Sequence, residues 1–122
     1  MAIYYAEIPI KLPSLNDYVL ACRANRYSAA SMKKDAETKI SWYLYSLPKI
    51  EKPVLIHFHW KEGNRKRDID NVAFAKKFIL DALVRCGKLQ NDDNRFVVGF
   101  RDTFEYGRDF RVYLTIEEVT KA

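Results

Sequence analysis

The alternation of residues 53–61 constrains the fold more than any other feature of the sequence. Every second residue from Val54 to Trp60 is large and apolar, so in an extended chain these side chains point to one face. The residues between them, which include His57 and His59, point to the opposite face. A pattern with a period of two predicts a strand that buries one face. The chain must therefore contain a sheet with a covering layer.

Two other segments carry apolar residues at helical spacing and predict that layer. The first begins after Ser28, a capping residue, and runs to Leu47, where Pro48 ends it. The second is stopped by Gly87 at its C-terminal cap. The apolar stripes consist of Ala29, Met32, Ala36, Ile40, Tyr43 and Leu47 in the first helix, and Val72, Ala75, Ile79, Ala82 and Cys86 in the second. Residues 14–27 are polar and mixed, with weak helical anchors.

Strands account for both ends of the chain. Residues 3–11 predict a first strand, closed by Pro13. Residues 96–104 and 110–117 predict a hairpin joined around residues 105–108, and its two strands should be antiparallel neighbours because the connection is short. The order strand, helix, strand, helix, strand, strand predicts an α+β fold, a mixed sheet with two main helices packed on it. We expect a single domain over residues 1–122.

The overall charge indicates the class of partner. The formal net charge is +5 and the sequence pI is about 9.2, which favours polyanionic partners. Cys22 and Cys86 lie far apart and have no zinc-site spacing, as expected for reduced thiols in the cytosol. No apolar run approaches the roughly 18 residues of a membrane span, and the N-terminus has no signal-peptide pattern. We therefore expect a cytoplasmic protein.

The most informative segment is an acidic pair beside a basic loop. Asp68 and Asp70 follow Arg65, Lys66 and Arg67 and precede a helix. In an extended approach alternate residues point the same way, so the two carboxylates would converge. Carboxylates suit Mg²⁺ or Mn²⁺, which activate water for phosphate hydrolysis, and the basic loop would attract DNA phosphates.

A purely structural explanation of the same segment is also open. Asp70 stands where an N-cap is expected, and Asn71 serves equally well there. Asp68 would then only neutralise its basic neighbours. The segment by itself is therefore compatible with either a metal site or a capped helix.

A second acidic pair and two lysines follow. Asp92 and Asp93 lie in a turn signal and are explained by turn chemistry alone, unless the following strand lies beside the preceding one and returns them to the first pair. Seven residues of helix turn through about 700°, so Lys77 would point nearly in the direction of Asp70 and Lys76 away from it. A solvated lysine explains Lys77 equally well.

Taken in order, these motifs resemble the RusA family of Holliday junction resolvases. The resemblance covers nearly the whole chain. No single motif is specific, but the succession is. The matching residues are Pro13-Ser14-Leu15-Asn16, Arg26-Tyr27, Arg67-Asp68-Ile69-Asp70-Asn71, a following lysine, Asp81-Ala82-Leu83, Gly87 and Asn91-Asp92-Asp93.

The resemblance implies metal-binding carboxylates at Asp68, Asp70 and one aspartate of the second pair. Counting forward from Asp81 without gaps selects Asp92, with Asp93 as the reserve candidate.

The resemblance also implies a catalytic lysine, and here the sequence departs from the best-known members. The stretch from Asp70 to Asp81 is longer by about three residues, so the position one turn after Asp70 is Phe74. Counting back from Asp81 selects Lys77, with Lys76 as the alternative.

Several other polar residues are candidates for DNA contacts. Arg65, Lys66 and Arg67 form the basic loop, and Lys76 is a further candidate in the second helix. Asn16 is suggested by its position in the family pattern. Arg26 and Lys33 lie in a cluster around the start of the first long helix, where a phosphate-tracking patch and a solvated helix face are both open. His57 and His59 suggest zinc, but no third ligand is in view, so a polar sheet face is predicted.

From the residues and the resemblance together we predict a Mg²⁺-dependent endodeoxyribonuclease, with Mn²⁺ as the alternative ion. It would resolve four-way DNA junctions by paired phosphodiester hydrolysis in recombination and repair. Lys77 would stabilise transition-state charge or protonate the leaving oxygen. Because the substrate has two-fold symmetry, we expect a homodimer. The alternatives are a broader flap or fork nuclease of phage type and a catalytically inert module that binds DNA structures.

Overall fold

The alternating segment forms a strand in the interior of the sheet. In the computed structural model, which describes residues 1–120, this strand runs from Val54 to Glu62. Ile56, Phe58 and Trp60 are at most 1% exposed, and the residues between them are half-buried. The predicted strand and its two unequal faces are confirmed.

Within the described residues the chain forms four strands and four helices. In chain order they are β1 (Ile3–Ile8), α1 (Leu15–Ala24), α2 (Arg26–Leu44), β2 (Val54–Glu62), α3 (Ile69–Ala73), α4 (Lys76–Arg85), β3 (Val97–Tyr106) and β4 (Arg111–Glu118). The sheet order is β1-β4-β2-β3, with β2 and β3 parallel and the other neighbours antiparallel. The predicted α+β fold with a mixed sheet is confirmed. The predicted domain extends to residue 122, and residues 121 and 122 lie outside the described part.

The predicted C-terminal hairpin is wrong. β3 and β4 are not neighbours, because β2 lies between them and bonds to both. The connection crosses the end of β2, where the Gly107 N–H donates to the carbonyl oxygen of Glu62 at 2.8 Å. The five Cα–Cα steps from Tyr106 to Arg111 reach roughly 17 Å, enough for the roughly 10 Å across two strand spacings. A short connection therefore did not require adjacent strands.

The helical layer begins earlier than expected. Ser14 and Asp17 form a capping box, with each side chain accepting from the other residue's backbone N–H at 3.2 and 2.9 Å. This cap starts α1 in the segment that looked mixed. Asn25, not Ser28, caps α2, and its Oδ1 accepts from the Ser28 N–H at 2.8 Å. The first long helix is thus confirmed with shifted ends and a different cap.

The second predicted helix is divided in two. Phe74 and Ala75 form a turn between α3 and α4, with tighter bonds such as Ala75 N–H to Val72 O at 3.2 Å. The Phe74 ring packs against Tyr18 and Phe78, with 5.6 Å between centroids in each pair. The prediction that Lys77 shares the direction of Asp70 assumed one continuous helix, so that argument does not hold.

The helices cover the apolar face of the sheet. α2 and α4 pack against each other, and their buried residues join those of β2 and β4 in one hydrophobic cluster. Its largest fully buried members include Trp60, Phe58, Phe78, Ile40, Leu44, Ile79, Leu83 and Leu114. Among residues 1–120, no helix combines the length and apolar character that crossing a membrane would require.

The end of α4 gives a test of the predicted glycine stop. Gly87 has a φ of 77°, and the Lys88 N–H bonds to Leu83 O at 2.9 Å, as in a Schellman motif. We expect Gly87→Ala to lower the free energy of unfolding by about 1 kcal/mol, because other residues are strained in this conformation. Urea unfolding would measure the change.

Gly99→Ala is the matched control. A Cβ at Gly99 would lie 3.7 Å from the Leu55 side chain, an ordinary contact. Its stability should change little. Equal losses for the two variants would contradict a conformational role for Gly87.

Candidate functional site

A buried ion pair fixes the turn from β2 to the acidic pair. Arg67 donates from Nε and Nη2 to the two carboxylate oxygens of Glu62 at 2.7 and 2.8 Å. Its Nη1 donates to the carbonyl oxygen of Leu12 at 2.8 Å. Glu62 is 3% exposed. Because its guanidinium is engaged inside the protein, Arg67 is placed to hold the loop, which argues against the predicted phosphate contact.

The two carboxylates of the acidic pair are exposed where this loop meets α3. Asp68 is the N-cap residue, yet its side chain makes no capping bond within the described residues. Asp70 lies inside the first turn, and its Oδ1 accepts from the Asn71 N–H at 3.0 Å. Neither takes part in an ion pair with any side chain of residues 1–120. Helix capping therefore does not account for Asp70, and both carboxylates keep free oxygens.

Lys77 lies between two other carboxylates. Its Nζ donates to Asp81 Oδ1 at 3.0 Å and is 3.9 Å from Asp92 Oδ2. The hydrogen bond with Asp81 raises the pKa of Lys77, and the charges of Asp81 and Asp92 reinforce the shift. The Lys77 side chain is 58% exposed, so a charged ammonium beside Asp92 faces solvent. Lys33 of α2 approaches Asp81 from the other side, at 3.4 Å.

Lys76 points instead to the sheet. Its Nζ donates to Asp102 Oδ2 at 2.7 Å and lies over the rings of Phe58 and Phe100, 5.4 and 4.6 Å from their centroids. The other oxygen of Asp102 accepts from the Trp60 indole N–H at 2.9 Å. The Lys76 side chain is 19% exposed. Lys76 thus anchors α4, and this geometry argues against its predicted contact with DNA.

The two residues of the second acidic pair, Asp92 and Asp93, make different contacts. Asp93 pairs with Arg95 through Nε and Nη2 and also accepts from the Arg95 backbone N–H. Its carbonyl oxygen accepts from the N–H groups of Phe96 and Val97. Asp93 therefore stabilises the turn before β3. Asp92 is the member of the pair that lies near Lys77.

The two acidic pairs are carried by the start and the end of the crossover between β2 and β3. The sequence predicted that Asp92 and Asp93 could approach the first pair only if the strand after them lay beside the strand before, and β3 does lie beside β2. Asp70 stands at the start of the crossover from β2 to β3 and Asp92 near its end, with Lys77 of α4 between them in the chain. In the part of the chain that the structure describes, no three His, Cys, Asp or Glu side chains are grouped to hold a metal ion. Asp68 and Asp70 alone still fit Mg²⁺ in donor chemistry, because this ion commonly uses one or two carboxylates together with waters and substrate phosphates.

The remaining predicted contact residues lie on the surface. Arg65 and Lys66 are exposed, and the Arg65 guanidinium lies 4.2 Å from the centroid of the Tyr106 ring. Asn16 is exposed in the first turn of α1, and α1 contacts α3. Arg26 is exposed at the start of α2. These side chains are free to meet a polyanion, unlike those of Arg67 and Lys76, and unlike Lys33, which is paired with Asp81 at 3.4 Å.

The two histidines of β2 belong to a polar network on the open face of the sheet. His57 and His59 each share a hydrogen bond with Thr103 Oγ1, at 2.7 and 2.6 Å, and His59 pairs with Glu105 at 2.9 Å. Burial, followed by the positive charge of Arg101, lowers the pKa of His57. Both rings are engaged within the sheet, in agreement with the predicted polar face.

Three partners of the site residues were missed by sequence reasoning. Asp81 served only as a marker for counting, although its spacing of four from Lys77 is a signal for a helical ion pair. Glu62 and Asp102 were not singled out. The contacts of Glu62 and Asp102 depend on how the loop and the sheet fold, so no local pattern reveals them.

The chain is similar to a known protein family along nearly its whole length. A family model described as "Endodeoxyribonuclease RusA" matches residues 8–117 of the 122-residue chain. The match includes every element that carries the candidate site. No curated protein matches the chain significantly.

The Glu62–Arg67 pair predicts a large effect on stability. Arg67→Met should lower the free energy of unfolding by about 3 kcal/mol, because it leaves the Glu62 carboxylate buried without its partner. Chemical denaturation would measure the loss. Lys66→Met removes the exposed neighbouring charge and should change stability by no more than about 0.5 kcal/mol. Similar small losses for both variants would rule out the proposed holding role of Arg67.

Proposed function

Because the chain belongs to the RusA endodeoxyribonuclease family, we propose that it resolves four-way DNA junctions by paired hydrolysis of phosphodiesters, in a reaction that depends on Mg²⁺. The observation that carries the proposal is the exposed acidic pair, Asp68 and Asp70. Both carboxylates are free of ion pairs among the described residues, although the exposed cations Arg65 and Lys66 precede them in the same loop.

Free carboxylates in a basic surface favour a nuclease over an inert binding module. Negative charge next to a DNA-binding loop weakens phosphate binding unless a cation offsets it. A module that only bound DNA would gain affinity by losing Asp68 and Asp70. Their exposure beside Arg65 and Lys66 is therefore explained best by a bound cation.

We assign Asp68 and Asp70 to holding Mg²⁺, with Mn²⁺ as the alternative ion. When bound, such an ion supplies an activated water and positive charge for phosphodiester hydrolysis. Asp92 remains the predicted third ligand from the family pattern.

Lys77 is the proposed catalytic lysine. Its ammonium is exposed beside Asp92, and its raised pKa keeps it charged at neutral pH. A positive charge at this place would stabilise the negative charge that builds up on the phosphate, or would donate a proton to the leaving oxygen. Arg65 and Lys66 would hold flanking phosphates, with Asn16 and Arg26 as further contacts.

The symmetry of the substrate supports a homodimer. A four-way junction needs two matched cuts, and a two-fold homodimer presents two identical sites. The proposed setting is recombination and repair of DNA in the cytoplasm of a bacterial or phage-infected cell.

A cleavage assay with three substrates tests the function. Purified protein is incubated with labelled four-way junction, replication fork and linear duplex, each with Mg²⁺ and with EDTA. We expect paired cuts in the junction that require Mg²⁺. Equal cutting of the fork would favour the broader branched-DNA nuclease, and binding without cleavage in Mg²⁺ or Mn²⁺ would favour the inert module.

Asp70→Asn separates the proposed chemistry from a helix-capping role in the same assay. Asparagine caps about as well as aspartate, whereas its neutral amide is a poorer Mg²⁺ ligand. We expect cleavage to collapse while gel-shift binding in Ca²⁺ survives or strengthens. Thermal melting controls for folding. A folded variant that binds and cuts at the wild-type rate would remove Asp70 from the active site.

Substitution of the two adjacent lysines tests the assignment of Lys77. Lys77→Ala should lower the single-turnover rate by orders of magnitude, with junction binding nearly intact. Lys76→Ala should instead lower thermal stability, because it leaves Asp102 without its cation inside the sheet contact. The reverse pattern, with cleavage more sensitive to Lys76→Ala in a folded protein, would assign catalysis to Lys76.

A further inference from the structure

The carboxylate of Asp81 is held between α4 and α2. Its side chain is 17% exposed. Oδ1 accepts from Lys77 Nζ at 3.0 Å, and Oδ2 lies 3.4 Å from Lys33 Nζ. Oδ2 is nevertheless buried without a hydrogen bond in the described part of the molecule. The carboxylate is thus offset by two ammonium groups, but it is hydrogen-bonded only on the side of Lys77.

The position of the Lys77 ammonium depends on a competition between two anions. It lies 3.0 Å from Asp81 and 3.9 Å from Asp92, so it is bonded to the first and only near the second. Without the charge of Asp81, attraction to Asp92 would draw the ammonium into a direct ion pair. A direct Lys77–Asp92 pair would offset the charge of the lysine and would also occupy the Asp92 carboxylate.

We propose that Asp81 is a positioning residue that tethers Lys77 beside Asp92, which keeps the ammonium available to the scissile phosphodiester and the Asp92 carboxylate available to a cation. The expected effect on DNA cleavage rests on the proposed function, whereas the Lys77–Asp81 hydrogen bond does not depend on it. Lys33 supports the arrangement from α2, since it offsets the Asp81 charge on the side away from Lys77. The long lysine side chain is thereby restrained by a residue one turn later on the same helix.

The test uses Asp81→Asn, which keeps the shape of the side chain and removes its charge. We expect the single-turnover rate to fall on the order of 100-fold, the usual effect of a misplaced catalytic group, while junction binding in Ca²⁺ stays at least as tight. In a Lys77→Ala background the same substitution should lower the rate no further. Asp35→Asn is the control, because Asp35 is an exposed carboxylate of α2 paired with Lys39 at 3.0 Å; its rate should equal the wild type.

A second measurement needs neither DNA nor metal. The side-chain ammonium resonance of Lys77 in ¹⁵N-labelled protein is assigned by its loss in Lys77→Ala. We expect slow hydrogen exchange in the wild type and faster exchange in Asp81→Asn, because a charge-assisted hydrogen bond is replaced by a weaker one to a neutral amide oxygen. If Asp81→Asn does not fold, Asp81→Ser removes the same charge.

The two measurements separate the possible failures. The positioning role would be overturned if Asp81→Asn left the Lys77 resonance unchanged or cut at the wild-type rate. It would also be overturned if the losses of rate from Asp81→Asn and Lys77→Ala multiplied in the double variant. If the wild type cuts no branched DNA while the resonance still depends on Asp81, the proposed function fails and the tether stands.

Discussion

The arrangement of the other elements depends on hydrogen bonding along both edges of β2. One edge binds β4 antiparallel and the other binds β3 parallel, so the chain cannot return from β2 to β3 through a tight turn. A parallel neighbour requires a crossover, and α3 and α4 supply it. The crossover carries Asp68 and Asp70 at its start and the turn with Asp92 at its end. Lys77, at the start of α4, has a side chain long enough to approach that second turn.

Local patterns predicted the features that depend on neighbours in sequence. The alternation of β2 and the stop at Gly87 needed only strand periodicity and backbone conformation. The hairpin was wrong because pairing of β3 is decided by competition for the edges of β2, which no turn signal records. The break at Phe74 was missed because apolar spacing continues across it. Of the site, the importance of Asp92 and Lys77 remains a prediction, with their contact at 3.9 Å as a supporting observation.

The carboxylates near the site form two groups: those paired with a cation inside the protein and those exposed to solvent. Glu62 is saturated by Arg67, and Asp102 by Lys76 and the Trp60 indole. These pairs fix the loop and the helix that flank the site, because a buried charge is tolerated only with its partner. Asp68 and Asp70 are left to solvent. A basic protein that keeps such carboxylates exposed has the charge distribution expected where a cation must mediate contact with phosphate.

The turn at Phe74 and Ala75 also bears on how such sequences change in length. In an unbroken helix, three added residues would rotate every later side chain by about 300° and advance it by about 4.5 Å. The turn between α3 and α4 has shorter-range hydrogen bonds, and α4 is also held by its own anchor on the sheet, Lys76 bonded to Asp102. We therefore expect insertions at this joint to disturb the geometry of Lys77 less than insertions within α4 would. Related sequences should be aligned backwards from the aspartate of α4, since the spacing forward from the acidic pair is free to drift.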